Sequence, residues 1–426
     1  MNAPAPALTQ DFPDAFASDP VALGWMQGSP TPPEKQVRFD DGGMYTFPKL
    51  RWAYSNIAQL LPTTTVSRGD GPVCVLPRAD RDDIDAVRFT PIGRTEATEA
   101  MSWAESLAAN YTDGIVVLHR GRIVYERYFG SLSAAQPHIA WSVTKSFFGT
   151  IAASLVTEGR LDPAAPITAY VPEMAASGLA HATVREVMDM TTSIDYSEDY
   201  TDPQAGIWDH GRAGGVLSRP VGYAGAASFC DFLTTLRQAG PHGEAFTYST
   251  VNTDLLGWIL RRVTGQGLGE MLSERIWSRL GCEQDGRLMV DSAGTEFAGG
   301  GLNVCLRDLA RFGEMMRCDG AFNGQRIVPQ AAIAGIRAGA DPAHFARAGY
   351  VTLPGASYRN MWWITHNPHG AYCARGIHGQ GVYIDPTAEM VIARFASHHI
   401  AGNMGIDPTT LPAYHALAQH LINSGS

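Results

Sequence analysis

The stretch "HIAWSVTKSFFGTIAASLVTEGRLDP", residues 138–163, decides how the rest of the chain is read. From Trp141 onward it carries neither proline nor glycine for two full turns, and Phe148, Ile151 and Leu155 recur at helical spacing, which predicts a helix with an apolar core face. Ser142 and Lys145 fall on a neighbouring face, and residues three apart on a helix are surface neighbours. The serine stands near the helix start, where unpaired N–H groups and the helix dipole favour negative charge on a nucleophile or an oxyanion. The lysine is unusual for this chain. Of 32 cationic Lys and Arg residues only Lys35, Lys49 and Lys145 are lysine, leaving 29 arginines. Arginine keeps its proton in any protein environment, whereas a buried lysine can lose it and act as a base. An ordinary surface lysine is the competing reading of the residue taken alone.

Outward from this helix, "DGIVVLHRGRIVYERYFG" has two β-rich runs on either side of His119-Arg120-Gly121-Arg122, a hairpin signature. "RGIHGQGVYIDPTAEMVIARFAS" repeats that grammar around Asp385-Pro386. Between the hairpins the pattern turns mostly helical, in "TVREVMDMTTSI", "ASFCDFLTTLRQ", "VNTDLLGWILRRVTG" and "LRDLARFGEMMRC". The expectation is an α/β fold with a mostly antiparallel sheet drawn from both chain ends, because its neighbouring strands are joined by short turns. Residues 1–100, rich in Pro, Gly and acidic residues, read as an irregular extension with "LRWAYSNIAQLLP" as its best helix; 101–140 and 350–426 read as the sheet domain, and 141–349 as a mainly helical domain carrying the Ser142 helix.

Composition narrows the function. A chain of 426 residues with 45% hydrophobic and 17% charged residues is an ordinary folded protein. Its net charge of −10, with no cationic cluster to offset it, speaks against nucleic acid or an anionic membrane as partner. The first twenty residues have neither a cationic segment nor a continuous apolar run, so no secretory signal is expected, and no apolar stretch is long enough for a membrane span. Six cysteines, at 74, 230, 282, 305, 318 and 373, lack CxxC pairing and read as buried thiols of a reducing cytoplasm, without a metal site. HExxH, Walker and GxSxG patterns are absent, and no cofactor is expected.

A serine needs a base and an oxyanion hole before it can attack a carbonyl. Lys145, if embedded among apolar residues, would supply the base. A second hydroxyl is needed to hand the proton to a leaving group, and "GEAFTYSTVNTDLLGW" offers Tyr248, just before a helix and followed two places on by Thr250. A tyrosine in that position also reads as a packing residue.

With these motifs in order the chain resembles the serine β-lactamase/penicillin-binding superfamily, and within it the branch of 6-aminohexanoate-dimer hydrolases and class C-like esterases. The resemblance is carried by "RWAYSNIAQLLPTTTVSR", "SVTKSFFGTIAASLVTEGRLDPAAPITAYVPE", "FTYSTVNTDLLGWILRRVTG", "FAGGGLNVCLRDLARFGEMM" and "GIHGQGVYIDP", within residues 50–400. It implies a β-lactamase/transpeptidase-like fold and an acyl-serine enzyme acting on small esters or amides, with Ser142 as nucleophile, Lys145 as base and Tyr248 as proton relay. It also implies an oxyanion hole from the backbone N–H groups of Ser142 and Ile377, and a pocket role for Tyr200, which otherwise reads as a loop aromatic that packs. Alternatives on the same fold are a β-lactamase or D-Ala-D-Ala peptidase-like enzyme and a binding or sensing module without turnover.

The sequence departs from the superfamily pattern in three places. Where KTG is expected it reads Ala374-Arg375-Gly376, so the lysine that helps hold a β-lactam carboxylate is missing. His378, after the oxyanion position, is expected to touch substrate or to serve structure. Gly211 and Gly299 stand where the branch is expected to place polar or acidic groups that hold a substrate amine. This predicts that uncharged esters outrun the amino-ended amide dimer, with Asp209 or Glu198 as the residues able to overturn that order. The partner is a small molecule, the compartment the cytoplasm, and a homodimer is left open.

Overall fold

The computed structural model describes residues 12–95 and 99–424. Among these, seven antiparallel strands form the main sheet: β1 Thr112–His119, β2 Arg122–Tyr128, β3 Ser357–Arg359, β4 Trp362–Ile364, β5 Tyr372–Gly376, β6 Gln380–Asp385 and β7 Met390–Ala396. Their order is β3-β4-β5-β6-β7-β1-β2, so the two ends of the chain meet where β7 pairs with β1 in the middle of the sheet. Both expected hairpins form. Arg120 and Gly121 turn β1 into β2 with φ of 51° and 74°, the left-handed pair that matches strand twist in a two-residue hairpin. The second hairpin joins β6 to β7 through Pro386–Glu389.

Helices α1 Trp103–Ala109, α2 Val143–Thr157, α4 Leu306–Arg317 and α5 Asp407–Ser424 pack on this sheet, and α3 Thr250–Thr264 packs on α2. Strand alternation sends Val382 of β6 and Val391 of β7 against Gly313 of α4, where an added Cβ would approach within 2.5 Å. Tyr383, next along β6, points the other way, its ring 5.3 Å from Tyr414 of α5. The sheet is thus covered on both faces. Helix α2 is buried from Val143 to Leu155 on every side rather than along one stripe, because the sheet, α3 and the helix Gln330–Arg337 enclose it.

The N-terminal residues are more organised than their composition suggests. Of the helix expected over residues 50–62 only Leu50–Ala53 is α-helical, with a 3-10 turn at Ile57–Gln59, and Thr63–Val66 joins a second sheet in the order Thr63–Val66, Gly286–Met289, Leu302–Val304, His138–Ile139. Val37, Met44, Leu50, Trp52 and Tyr54 build a smaller core with Ile139, Trp141 and Phe297, directly behind the start of α2.

Candidate active site

The second sheet delivers the chain to Ser142. His138–Ile139 pairs with Leu302–Val304, and the Ala140 N–H donates to the Leu302 carbonyl at 2.8 Å. Trp141 then takes φ 45°, a left-handed backbone that costs a bulky residue about 1–3 kcal/mol. Its surroundings hold it there: Tyr54 and Tyr45 pack on the indole at ring separations of 5.6 and 6.3 Å. Ser142 follows as the N-cap of α2. Its side chain makes no capping bond, leaving the hydroxyl free to accept from Lys145 Nζ at 2.8 Å.

Lys145 is 1% exposed, and its other bond goes to the Gly299 carbonyl. Burial pulls its ammonium down to about 8, against the opposing charges of Glu198 and Asp254. A sizeable neutral fraction therefore exists near neutral pH. The amine also lies 5.2 Å from the ring centre of Tyr248. Burial, then the charge of Glu198, push the Tyr248 hydroxyl well above the ordinary tyrosine range, while interaction with the Ser142 hydroxyl acts the other way. Tyr248 therefore holds a proton at neutral pH, next to the serine. Stacking on Trp363, 5.4 Å between ring centres, fixes its plane.

Gly376, at the end of β5, completes the cluster. A Cβ there would lie 2.6 Å from the Ala140 carbonyl and 3.1 Å from the Ser142 nitrogen, so only glycine lets the strand end press on the serine turn. Ile377 follows. Among the described residues neither the Ser142 nor the Ile377 backbone N–H has a protein acceptor. A hydroxyl, a partly neutral amine, a protonated phenol and two free N–H donors are the parts an acyl transfer uses.

Ser142, Tyr200, Tyr248 and Ile377 line one cavity of about 700 Å³, with Glu198, Arg347, Tyr350, Trp363 and Arg375. Lys145 sits behind Ser142, off the wall, and four other expected residues are not on it either. Thr250 turns its N–H to Glu198 Oε1. His378 donates from Nδ1 to the His398 carbonyl at 2.6 Å, since a carbonyl can only accept, and burial lowers it to about 4, so it is neutral and structural here. Gly211 packs on Leu217, and an added Cβ at Gly299 would meet Thr250 Cγ2 at 2.3 Å. The glycines are therefore backbone contacts in the protein interior rather than emptied pocket positions, and the ground for expecting an unpaired substrate amine falls with them.

Glu198 lines the cavity. Its Oε1 accepts from Thr250 N–H and from Tyr196 at 3.2 Å, while Oε2 is buried and has no partner among the described residues. Asp209 instead pairs with Arg212 at 3.0 Å, on the exposed side of its helix. The sequence offered Glu198 and Asp209 together as groups able to receive an amine, and of the two only Glu198 is on the wall. Arg375, one place after the position of the missing lysine, lines the cavity but is bonded to Asp407 and stacked 5.1 Å over Trp363. Of the cysteines, 282, 305 and 373 are buried and 74, 230 and 318 half-buried.

A family model described as "Beta-lactamase" matches residues 104–399. The chain belongs to the β-lactamase family. As a member it is a serine hydrolase of amide or ester substrates. Its similarity to a 6-aminohexanoate-dimer hydrolase from Paenarthrobacter ureafaciens is 36% identity over 389 residues, 91% of this chain and 90% of that one. A solved Bacillus anthracis structure, provisionally named 6-aminohexanoate-dimer hydrolase, superposes with a TM-score of 0.83 at 32% identity, covering 92% of this chain and 99% of the other. A D-stereospecific amidohydrolase from Streptomyces sp., at 18% identity and a TM-score of 0.54 over 72% of this chain and 97% of its own, shares the fold. Among the described residues of this β-lactamase-family chain, no helix is long and apolar enough to cross a membrane, and no group of three His, Cys, Asp or Glu is placed to hold a metal.

Proposed function

We propose that the protein hydrolyses small esters and linear amides through an acyl enzyme on Ser142. The observation that carries this reading is the buried Lys145 amine bonded to the Ser142 hydroxyl, on the edge of a cavity large enough for a small substrate. Neutral Lys145 takes the Ser142 proton as Oγ attacks the carbonyl carbon. The oxyanion is received by the N–H groups of Ser142 and Ile377. Lys145 returns the proton by way of Tyr248 to the leaving nitrogen or oxygen, the C–N or C–O bond breaks, and an ester to Ser142 remains. Water, deprotonated by the same amine, then attacks that ester and restores the serine.

Charge in the cavity favours one kind of amide. The Glu198 carboxylate, on the cavity wall, offers an anion to a substrate ammonium, which would otherwise cost several kcal/mol to bury. This agrees with the name of the Paenarthrobacter relative, an enzyme of an amino-ended amide dimer. A β-lactam carboxylate would find Arg375 already neutralised by Asp407. Amino-ended linear amides are therefore expected to be substrates beside simple esters, with β-lactams poor. Labelling with a fluorophosphonate followed by peptide mass spectrometry should place the adduct on Ser142, and Ser142→Ala should lose essentially all turnover. An adduct on another serine overturns the assignment. In a panel of p-nitrophenyl esters, 6-aminohexanoate dimer and a β-lactam, fastest turnover on the β-lactam would overturn the substrate reading.

A further inference from the structure

Behind Lys145 lies a polar chain that never reaches the cavity. The Gly299 carbonyl accepts from the Lys145 amine. The N–H of the same residue donates to Asp254 Oδ1 at 2.8 Å. The other oxygen of Asp254 accepts from His210 Nε2, also at 2.8 Å. Both side chains are sealed from water, at 1% exposure for His210 and 3% for Asp254. Burying a carboxylate this deeply is costly unless every oxygen is bonded, and here both are. The three residues come from the helix Gly206–Ala213, from α3 and from the turn after Phe297, so the chain is a tertiary construction.

The bond to Gly299 has a chemical consequence. A neutral lysine amine has two N–H groups and one lone pair, and it can take the serine proton only with the lone pair facing Ser142 Oγ. A carbonyl that captures an N–H on the far side stops the amine from rotating. We propose that Asp254, clamped by His210, is a positioning residue for the hydrolysis, holding Gly299 so that its carbonyl aims the Lys145 lone pair at Ser142. This rests on the reading of Lys145 as the base.

Asp254 acts on the amine by charge as well as by position. Lys145 is faced by Ser142 on its own helix, by Tyr248 and Asp254 at and within α3, and by Glu198 from the Ser197–Thr201 loop; Arg375 of β5 lies beyond Tyr248. Of these, the Glu198 and Asp254 anions hold the ammonium up against the pull of burial. Asp254→Asn keeps an acceptor for the Gly299 N–H and removes the anion. Its kcat/KM for p-nitrophenyl butyrate should keep most of its plateau while the acid limb moves to lower pH. Asp254→Ala loses the clamp, and kcat should fall on the order of 10- to 100-fold with KM little changed, the cost of a misaimed base. His210→Ala should fall in the same direction by less, as the carboxylate keeps its bond to Gly299.

Thermal melting and fluorophosphonate labelling of Ser142 separate the cases. Variants that melt as cooperatively as wild type, with an unmoved acid limb for Asp254→Asn and wild-type kcat for Asp254→Ala, overturn the proposal. If Asp254→Ala does not fold, the pH limb of Asp254→Asn decides alone. A wild-type protein that is never labelled on Ser142 would instead overturn the acyl-enzyme reading, a distinct result.

Discussion

Two buried cations of this protein meet opposite fates. Arg51, 2% exposed, donates to Asp113 at 3.3 Å, Ser397 at 3.1 Å, Ser18 at 2.8 Å and the Ala15 carbonyl at 2.6 Å. Asp113 is also bonded by Ser397 at 2.9 Å and His138 at 3.3 Å; burial acts to raise its carboxyl, but these partners and the Arg51 charge hold it below the usual range. Lys145, as deeply buried, has a hydroxyl and a carbonyl for partners, and no carboxylate of the described residues bonds to it. Burial opposes charge in both places. At Arg51 a bonded carboxylate answers the buried guanidinium, and the cluster ties the N-terminal residues to β1 and the end of β7. At Lys145 none is bonded, and burial makes the charge easier to give up. Burial thus makes a strut in one region and a base in the other, according to which cation is buried and what surrounds it.

The largest effect expected from breaking this contrast comes from Lys145→Arg. It restores an obligate cation to a site that needs a removable proton, and kcat on p-nitrophenyl butyrate should drop on the order of 10³-fold, nearly as far as with Lys145→Ala. Wild-type rates in the arginine variant would end the general-base assignment.

Arg51→Ala should do the reverse, costing about 3–5 kcal/mol of stability by stranding the Asp113 carboxylate while leaving kcat per folded molecule close to wild type. Denaturant melts paired with active-site titration test it. An Arg51 variant that is stable but slow would show that this cluster belongs to the chemistry.

A smaller change follows from Tyr248→Phe. Poor leaving groups need the proton more than activated ones, so the loss on a linear amide should exceed that on a p-nitrophenyl ester by about 10-fold or more. Equal losses would count against a relay.

The mildest test leaves the chain unaltered. Neutral Lys145 is the competent form, so kcat/KM on an uncharged ester should rise about tenfold per pH unit on the acid side and level off near pH 8, the value to which burial brings the amine. A flat profile through that range would mean the amine is not the titrating base.

How much was legible beforehand depended on distance along the chain. The hairpin at Arg120-Gly121, the α2 helix and the Ser142–Lys145 spacing were readable because each is a contact of residues a few places apart, governed by backbone preference and periodicity. Tyr248 was readable as a hydroxyl before a helix, and Tyr200 through the family resemblance. The wall of the cavity was not. Gly211 and Gly299 looked like removed side chains, yet they are glycines because Leu217 and Thr250 press on them. Glu198 could not be told from Asp209 until the fold put the one on the cavity wall and paired the other with Arg212.

By itself the sequence determined that a serine and a lysine share the first turn of an apolar helix between two sheet-forming ends, since helical geometry brings residues three apart together in any context. Only the tertiary structure decided that this lysine gives up its proton near pH 8. That property needs the exclusion of water from all sides, set against the charges of Glu198 and Asp254 from distant parts of the chain, and no local pattern encodes desolvation.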